Sequence, residues 1–207
     1  MPHLKAITIE GKDLRLGRQE NDDWSFGPDL VVKNCRIDIQ VASRDFLLVS
    51  PVEFVDCTIH SARPLKSLRF VRASFRGCRF TGKFSGCDFG TWPEYSVMMP
   101  FNALFEDVDL TGAEMDLCRI FRSDMKRIDL PKWPSFAILE PYENRERIKR
   151  LVWKGAGDRL RVFHELASKA LPIVVASLNY APAFIKWYGG DIDSLRGELS
   201  KLDFVRM

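Results

Sequence analysis

Large apolar residues recur at every fifth position between Ala103 and Pro131: Phe105, Leu110, Met115, Ile120, Met125 and Leu130. Two residues before each of them stand Ala103, Val108, Ala113, Cys118, Ser123 and Ile128, most of them small. A period of five belongs neither to a helix, at about 3.6, nor to a strand, at about 2. At about 100° per residue, every fifth side chain scatters around a helical wheel instead of lining one stripe. The period does suit a coil with flat sides, each side taking about five residues and turning two of them inward. Four sides would make a turn of about 20 residues, and turns would stack at the strand spacing of about 4.8 Å.

The same phases appear earlier with interruptions. Phe70, Phe75 and Phe80 follow Leu68, Ala73 and Cys78 by two. Phe89 follows Cys87, Phe54 follows Val52, Ile59 follows Cys57 and Ile37 follows Cys35 in the same way. The spacing slips by one between Ile59 and Phe70 and again between Phe80 and Phe89, and the stretch Gly90–Asn102 separates the two best runs.

Motifs such as Val108-Asp109-Leu110-Thr111-Gly112 and Ala113-Glu114-Met115-Asp116-Leu117 closely resemble the pentapeptide-repeat family, whose consensus is Ala-(Asp/Asn)-Leu-x-x. The resemblance runs roughly from Val32 to Leu130 and is strongest in Ala103–Pro131. It implies a mainly β protein, a right-handed quadrilateral β-helix, here followed by an α-helical C-terminal cap. The expected organisation is an N-terminal β cap at 1–31, the coil at 32–131 with a loop insertion at 90–102, and a helical cap at 132–207.

One rule places all five cysteines. Cys35, Cys57, Cys78, Cys87 and Cys118 share the phase two before the large core residue, where a free thiol behaves as a small buried hydrophobe. Their odd number, with no Cys-x-x-Cys pair and no zinc-like spacing, points to a reducing compartment, the cytoplasm. The expected core therefore includes Cys78, Phe80, Cys87, Phe89, Phe105, Leu110, Cys118 and Ile120. The phenylalanines should stack along the interior, each contributing about 1.5–3 kcal/mol.

An open coil needs its ends covered. At the start, Lys5–Glu10 and Asp13–Leu16 flank Gly11-Lys12 and read as a short hairpin. Beyond Pro141 the pattern turns helical: a helix over Glu143–Lys154, a second from Asp158 through Leu171, and a last one over Asp193–Leu202. Phe184, Ile185, Trp187 and Tyr188 read as the surface that docks on the final turn, or that forms a homodimer through the C-terminal helices. The most apolar window, Ala170–Tyr188, is broken by Pro172, Asn179, Pro182 and Lys186, so no membrane span is expected. No secretory signal opens the chain.

No catalytic constellation emerges. His3, His60 and His164 are far apart, and His164-Glu165 lacks the second histidine of a zinc-protease helix. Phosphate-cradling, dinucleotide-binding and nucleophile-elbow patterns are all missing. The chain is expected not to be an enzyme and to use no metal or cofactor.

Charge is the remaining signal. The net charge is only +3, yet Arg63, Lys66, Arg69, Arg72, Arg76, Arg79 and Lys83 crowd a stretch without Asp or Glu, while Glu106 to Asp116 is acidic. Stacked turns would either pair these as surface ladders or leave a basic face that attracts an acidic partner. Arg69, Arg72, Arg76 and Arg79 fall in outward phases, and Trp92 and Tyr95 in the insertion have interface character. These six are the candidate partner-binding residues. The expected function is a protein-binding scaffold, of the kind that serves as an immunity protein against a cognate bacterial toxin with an acidic face. The alternatives are a DNA-mimicking topoisomerase modulator, as the family resemblance implies, and a direct nucleic-acid binder, which the small net charge disfavours. If the whole basic stretch is the contact, reversing Arg69, Arg72, Arg76 and Arg79 to Glu should weaken a salt-sensitive complex, as titration calorimetry would read.

Overall fold

Successive turns of the chain repeat the same short strands. The computed structural model describes residues 3–17, 23–92, 103–150 and 173–207. The first turn holds β1 (His3–Leu4), β2 (Thr8–Glu10) and β3 (Asp13–Leu16). The second holds β4 (Trp24–Phe26), β5 (Leu30–Lys33) and β6 (Arg36–Ile39), and the third β7 (Phe46–Leu48), β8 (Val52–Val55) and β9 (Thr58–Lys66). Next come β10 (Ser74–Arg76) and β11 (Arg79–Ser85), then β12 (Asp88–Gly90), β13 (Phe105–Glu106) and β14 (Val108–Asp116). β15 (Cys118–Phe121) and β16 (Ile128–Asp129) finish the coil. Strands stack parallel as β1-β4-β7, β2-β5-β8-β10-β13 and β3-β6-β9-β11-β14-β16. The result is a β-solenoid of about five turns.

The fivefold phases fill its interior. Phe105, Leu110, Met115 and Ile120 are buried, as are Ala103, Val108, Ala113 and Cys118 two positions before them. Cys78, Phe80, Cys87 and Phe89 are buried too. Aromatic rings stack between turns: Phe54 on Phe75 at 4.9 Å and 2°, Phe70 on Phe89 at 4.8 Å and 6°. A lumen space beside Phe26, Phe54 and Phe75 measures about 10 Å³, at the threshold for one water and far below a ligand.

Turn length explains where the period blurs. In register, Thr8 lies beside Val31, Val31 beside Glu53, and Glu53 beside Ser74. The step shortens from one pair to the next, and none of the three is a multiple of five. The step from Val108 to its partner Ile128 is one. The slips near Ile59 and Phe80 are filled by Leu65 and Phe84, both buried and in register with each other, Phe84 also with Met115. β9 carries extra residues there, so it bulges against β11 between Gly82 and Phe84.

The segment 1–31 does not form the expected hairpin. β2 pairs parallel with β5, and β3 with β6, so Gly11-Lys12 is a corner between two faces and these strands are the coil's first turn. At the other end, chain direction reverses. β17 (Ser135–Leu139), β18 (Val174–Tyr180) and β19 (Val205–Arg206) add antiparallel to β15 in the order β15-β18-β17-β19. Ala137, Ala176 and Leu178 join the coil's core. Phe136 and Ile138, on the other face of β17, pack under the helices.

Those helices are α1 (Arg145–Arg150), α2 (Ala181–Tyr188) and α3 (Ile192–Leu199). α1 lies inside the expected Glu143–Lys154 span; the rest of that span from 151, and the expected helix from Asp158, lie outside the described residues. α3 starts just before the expected position because Asp191 caps it, its carboxylate accepting the Ser194 N–H at 2.7 Å. Phe184 is buried and Ile185 half-buried, but Trp187 is 76% exposed. Among the described residues, no helix is long and apolar enough to cross a membrane.

Gly82 holds φ +92°, and a Cβ there would overlap the Ser61 carbonyl oxygen. Gly82→Ala should therefore lower unfolding stability by about 2 kcal/mol, at the upper range of single-residue effects. Equilibrium denaturation in urea will read it as a lower midpoint at unchanged slope.

Candidate partner-binding surface

Because stacked turns lie in register, each outward side chain meets the one a turn away. Arg76 faces Glu106, Arg79 faces Asp109 and Lys83 faces Glu114 in the pairing of β10 with β13 and β11 with β14. Their charged atoms approach to 3.9, 3.2 and 3.1 Å. Arg127, one turn further, reaches Glu106 at 2.9 Å and clasps Asp107 through Nε and Nη2. That clasp holds the Asp107 carboxyl below the usual carboxylate range. Much of the basic stretch is thus a surface ladder with the acidic run. Each exposed pair contributes at most about 1 kcal/mol.

The sequence-derived basic face therefore divides. Arg76 and Arg79 belong to the ladder. Arg69 stands in register with Asp88 on the next turn, and a one-turn 3-10 helix that ends at Arg72 follows it, spanning Phe70–Arg72. A second 3-10 turn, Ser43–Asp45, lies at a different corner, ahead of β7. Between them runs a surface groove of about 410 Å³ lined by Arg44, Arg69, Arg72, Ser43, Ser67, Leu47 and neighbours, with Asp23 at one side. Arg44 has 85% of its side chain exposed and stands 3.3 Å from Asp45. Leu47 is 44% exposed. Arg44 also lines an adjoining groove with Arg63 and Asp45. Arg44, Arg63, Arg69 and Arg72 thus line the two grooves together with Asp23 and Asp45.

Arg44 and Leu47 were not singled out from the sequence. The signal existed in the turn length, since Phe70 follows Leu48 by the same step that sets Leu48 beside Phe26 in the pairing of β4 with β7. It could be used only once that step was known.

Trp92 packs on Phe121 with ring centres 4.8 Å apart, and Arg119 sits 5.5 Å from its ring. Arg119 in turn holds the buried Asp88 carboxylate by two bonds of 2.8 and 2.9 Å. Trp92 thus covers a partly buried ion pair on a side of the coil. Tyr95 lies outside the described residues.

The five thiols are free and buried. Cys35, Cys57 and Cys78 form one column and Cys87 and Cys118 another, as the in-register residues beside them show. Each donates to the carbonyl two positions back, as Cys35 does to Lys33 at 3.1 Å and Cys57 to Val55 at 3.3 Å. Burial pushes the Cys118 thiol well above its ordinary range, the opposite of a reactive cysteine. His60 shares a 3.0 Å hydrogen bond with Thr81, and His164 lies outside the described residues. Among the described residues, no group of three or more His, Cys, Asp or Glu could hold a metal ion.

Comparison with protein-family models, curated proteins and solved structures gave no match.

Because Asp107 is acidified by Arg127, it favours the folded state above the ordinary carboxylate range and loses that contribution as pH falls into it. In an NMR titration, Arg127→Gln should raise the Asp107 midpoint toward the ordinary value. An unmoved midpoint would show that the clasp does not set it.

Proposed function

We propose that the protein is a non-enzymatic binding module whose Arg44–Arg69–Arg72 groove receives an acidic segment of a protein partner. The groove carries this reading: three arginine side chains line it beside an exposed leucine, apart from the Arg76, Arg79 and Lys83 ladder. Guanidinium forks match carboxylates, and an apolar contact beside them adds desolvated area. A preformed coil also loses little conformational freedom on binding.

The fivefold phasing supports assigning the coil to the right-handed quadrilateral pentapeptide-repeat β-helices. An immunity-type role, neutralising a cognate bacterial toxin with an acidic face, fits a rigid scaffold that works by surface complementarity. Five free buried thiols agree with a cytoplasmic setting. DNA mimicry would need an unbalanced acidic rod, and the ion pairs on Glu106, Asp107, Asp109 and Glu114 argue against one. Direct nucleic-acid binding would draw on the same arginines, and its steep salt slope would distinguish it.

The test uses wild-type protein, the Arg44→Glu/Arg69→Glu variant and the Arg76→Glu/Arg79→Glu variant as baits in extract of the source cell, read by mass spectrometry. A protein held by wild type should bind the groove variant about tenfold more weakly or less, with a marked salt dependence, and keep most of its affinity for the ladder variant. Equal retention by all three, or recovery of nucleic acid in place of protein, overturns the reading.

A further inference from the structure

The two ends of the coil differ. At the C-terminal end β18 lies antiparallel on β15 while β13 and β16 end their sheets, and among the described residues no strand pairs with the outer edges of β1, β2 and β3. Leu4, Ile9 and Leu14 sit there only partly buried on the end of the core. β3 is the longest of the three. Its partner β6 takes hydrogen bonds at alternate residues: Arg36 N–H donates to the Lys12 carbonyl and Gln40 N–H to the Leu16 carbonyl, both at 3.0 Å. By the alternation of a parallel ladder, Lys12, Leu14 and Leu16 serve β6, while the amides and carbonyls of Asp13 and Arg15 face the open edge. The side chains of Asp13 and Arg15 are exposed and stand in register with Arg36 and Asp38.

We propose that β3 pairs antiparallel with β3 of a second copy of this chain, about a two-fold axis through Leu14. Residues opposed in an antiparallel pair share one face of the sheet, so the axis must pass through a residue rather than between two. Centring on Asp13 or on Arg15 would oppose identical charges at the axis. Centring on Leu14 opposes Asp13 to Arg15 of the second copy, twice, and Leu14 to its own counterpart. The same register makes Asp13–Arg15 the hydrogen-bonded pair, and these are the residues whose backbone groups face the edge. Charge then alternates in sign across the join, running Arg36, Asp13, Arg15 of the second copy, Asp38 of the second copy, and the reverse in the adjacent column. Self-complementarity of this kind is what a two-fold contact demands. The contact also supplies the end of the core with the cover that β17 and β18 supply at the other end.

Sedimentation equilibrium of the full chain should give twice the 23.8 kDa chain mass. Arg15→Pro removes an amide that faces the edge and that β6 does not use, so it should weaken the dimer at least tenfold with an unchanged circular dichroism spectrum. Asp13→Arg, which opposes like charges across the axis, should do the same. Leu14→Cys should cross-link into a covalent dimer under diamide, which takes up the two thiol hydrogens. The non-hydrogen-bonded pair at the axis brings Cα atoms to about 4.5 Å, within disulfide reach. Should Arg15→Pro fail to fold, the charge variant and the cross-link decide. A wild-type monomer at every concentration overturns the proposal. So does a dimer that survives both edge variants and does not cross-link at position 14, which would place the contact elsewhere, as on the C-terminal helices.

Discussion

In-register parallel stacking is the constraint on which the rest of this molecule depends. Once each strand lies beside its counterpart a turn away, every side chain meets a fixed neighbour above and below. Inside, phenylalanine meets phenylalanine, as Phe54 meets Phe75, and cysteine meets cysteine, as Cys57 meets Cys78. The lumen has one width, so a large residue on one position requires a small one two places before. Thiols meet that need, and their weak donors find the carbonyls of their own corner and of the turn beside it, as Cys78 does with Arg76 and Phe54. Outside, the same registry turns a basic stretch and an acidic stretch, well separated along the chain, into a ladder, Arg79 beside Asp109.

What the sequence reveals follows from that logic. The core was legible wherever a turn is a multiple of five, because burial then repeats at a constant step; Phe105 to Ile120 are the clear case. It blurred where the step departs from that multiple, as from Thr8 to Val31 and from Glu53 to Ser74, since the extra residues sit at corners with no period of their own. Leu65 and Phe84 were missed for this reason, though both lie fully inside. β17 and β18 were missed for another. Both of their faces are covered, by the coil on one side and the helices on the other, so their sequences lack the alternation that marks a half-exposed strand. A continuous apolar run such as Ile173–Ala176 carries no period to read.

The candidate site was half legible, and the reason is the same. The sequence shows that arginines cluster, but only the turn length decides which of them lie in register with the acidic run. Arg76 and Arg79 fall on regular strands and are matched to the next turn. Arg69 stands in register with Asp88 one turn on, Arg72 ends the 3-10 turn Phe70–Arg72, and Arg44 comes from another 3-10 turn, Ser43–Asp45. The groove thus forms where two 3-10 turns interrupt the strands, apart from the Arg76–Lys83 ladder.

That division also bears on how binding could be selective. A ladder of exposed pairs adds little energy, yet it keeps that flank of the coil near electrical balance, so that a charged protein meets few competing attractions there. The arginines that line the groove sit instead beside an apolar patch, where a partner must match both sign and shape. At the ends, the same principle acts through the backbone. Strand edges attract other edges without regard to side chains, and the coil answers this differently at each end. One end reverses chain direction to pair β15 with β18. The other carries an alternating pattern of charge along β3 that only a strand of complementary sequence can meet, which restricts an otherwise indiscriminate edge to a narrow class of partners.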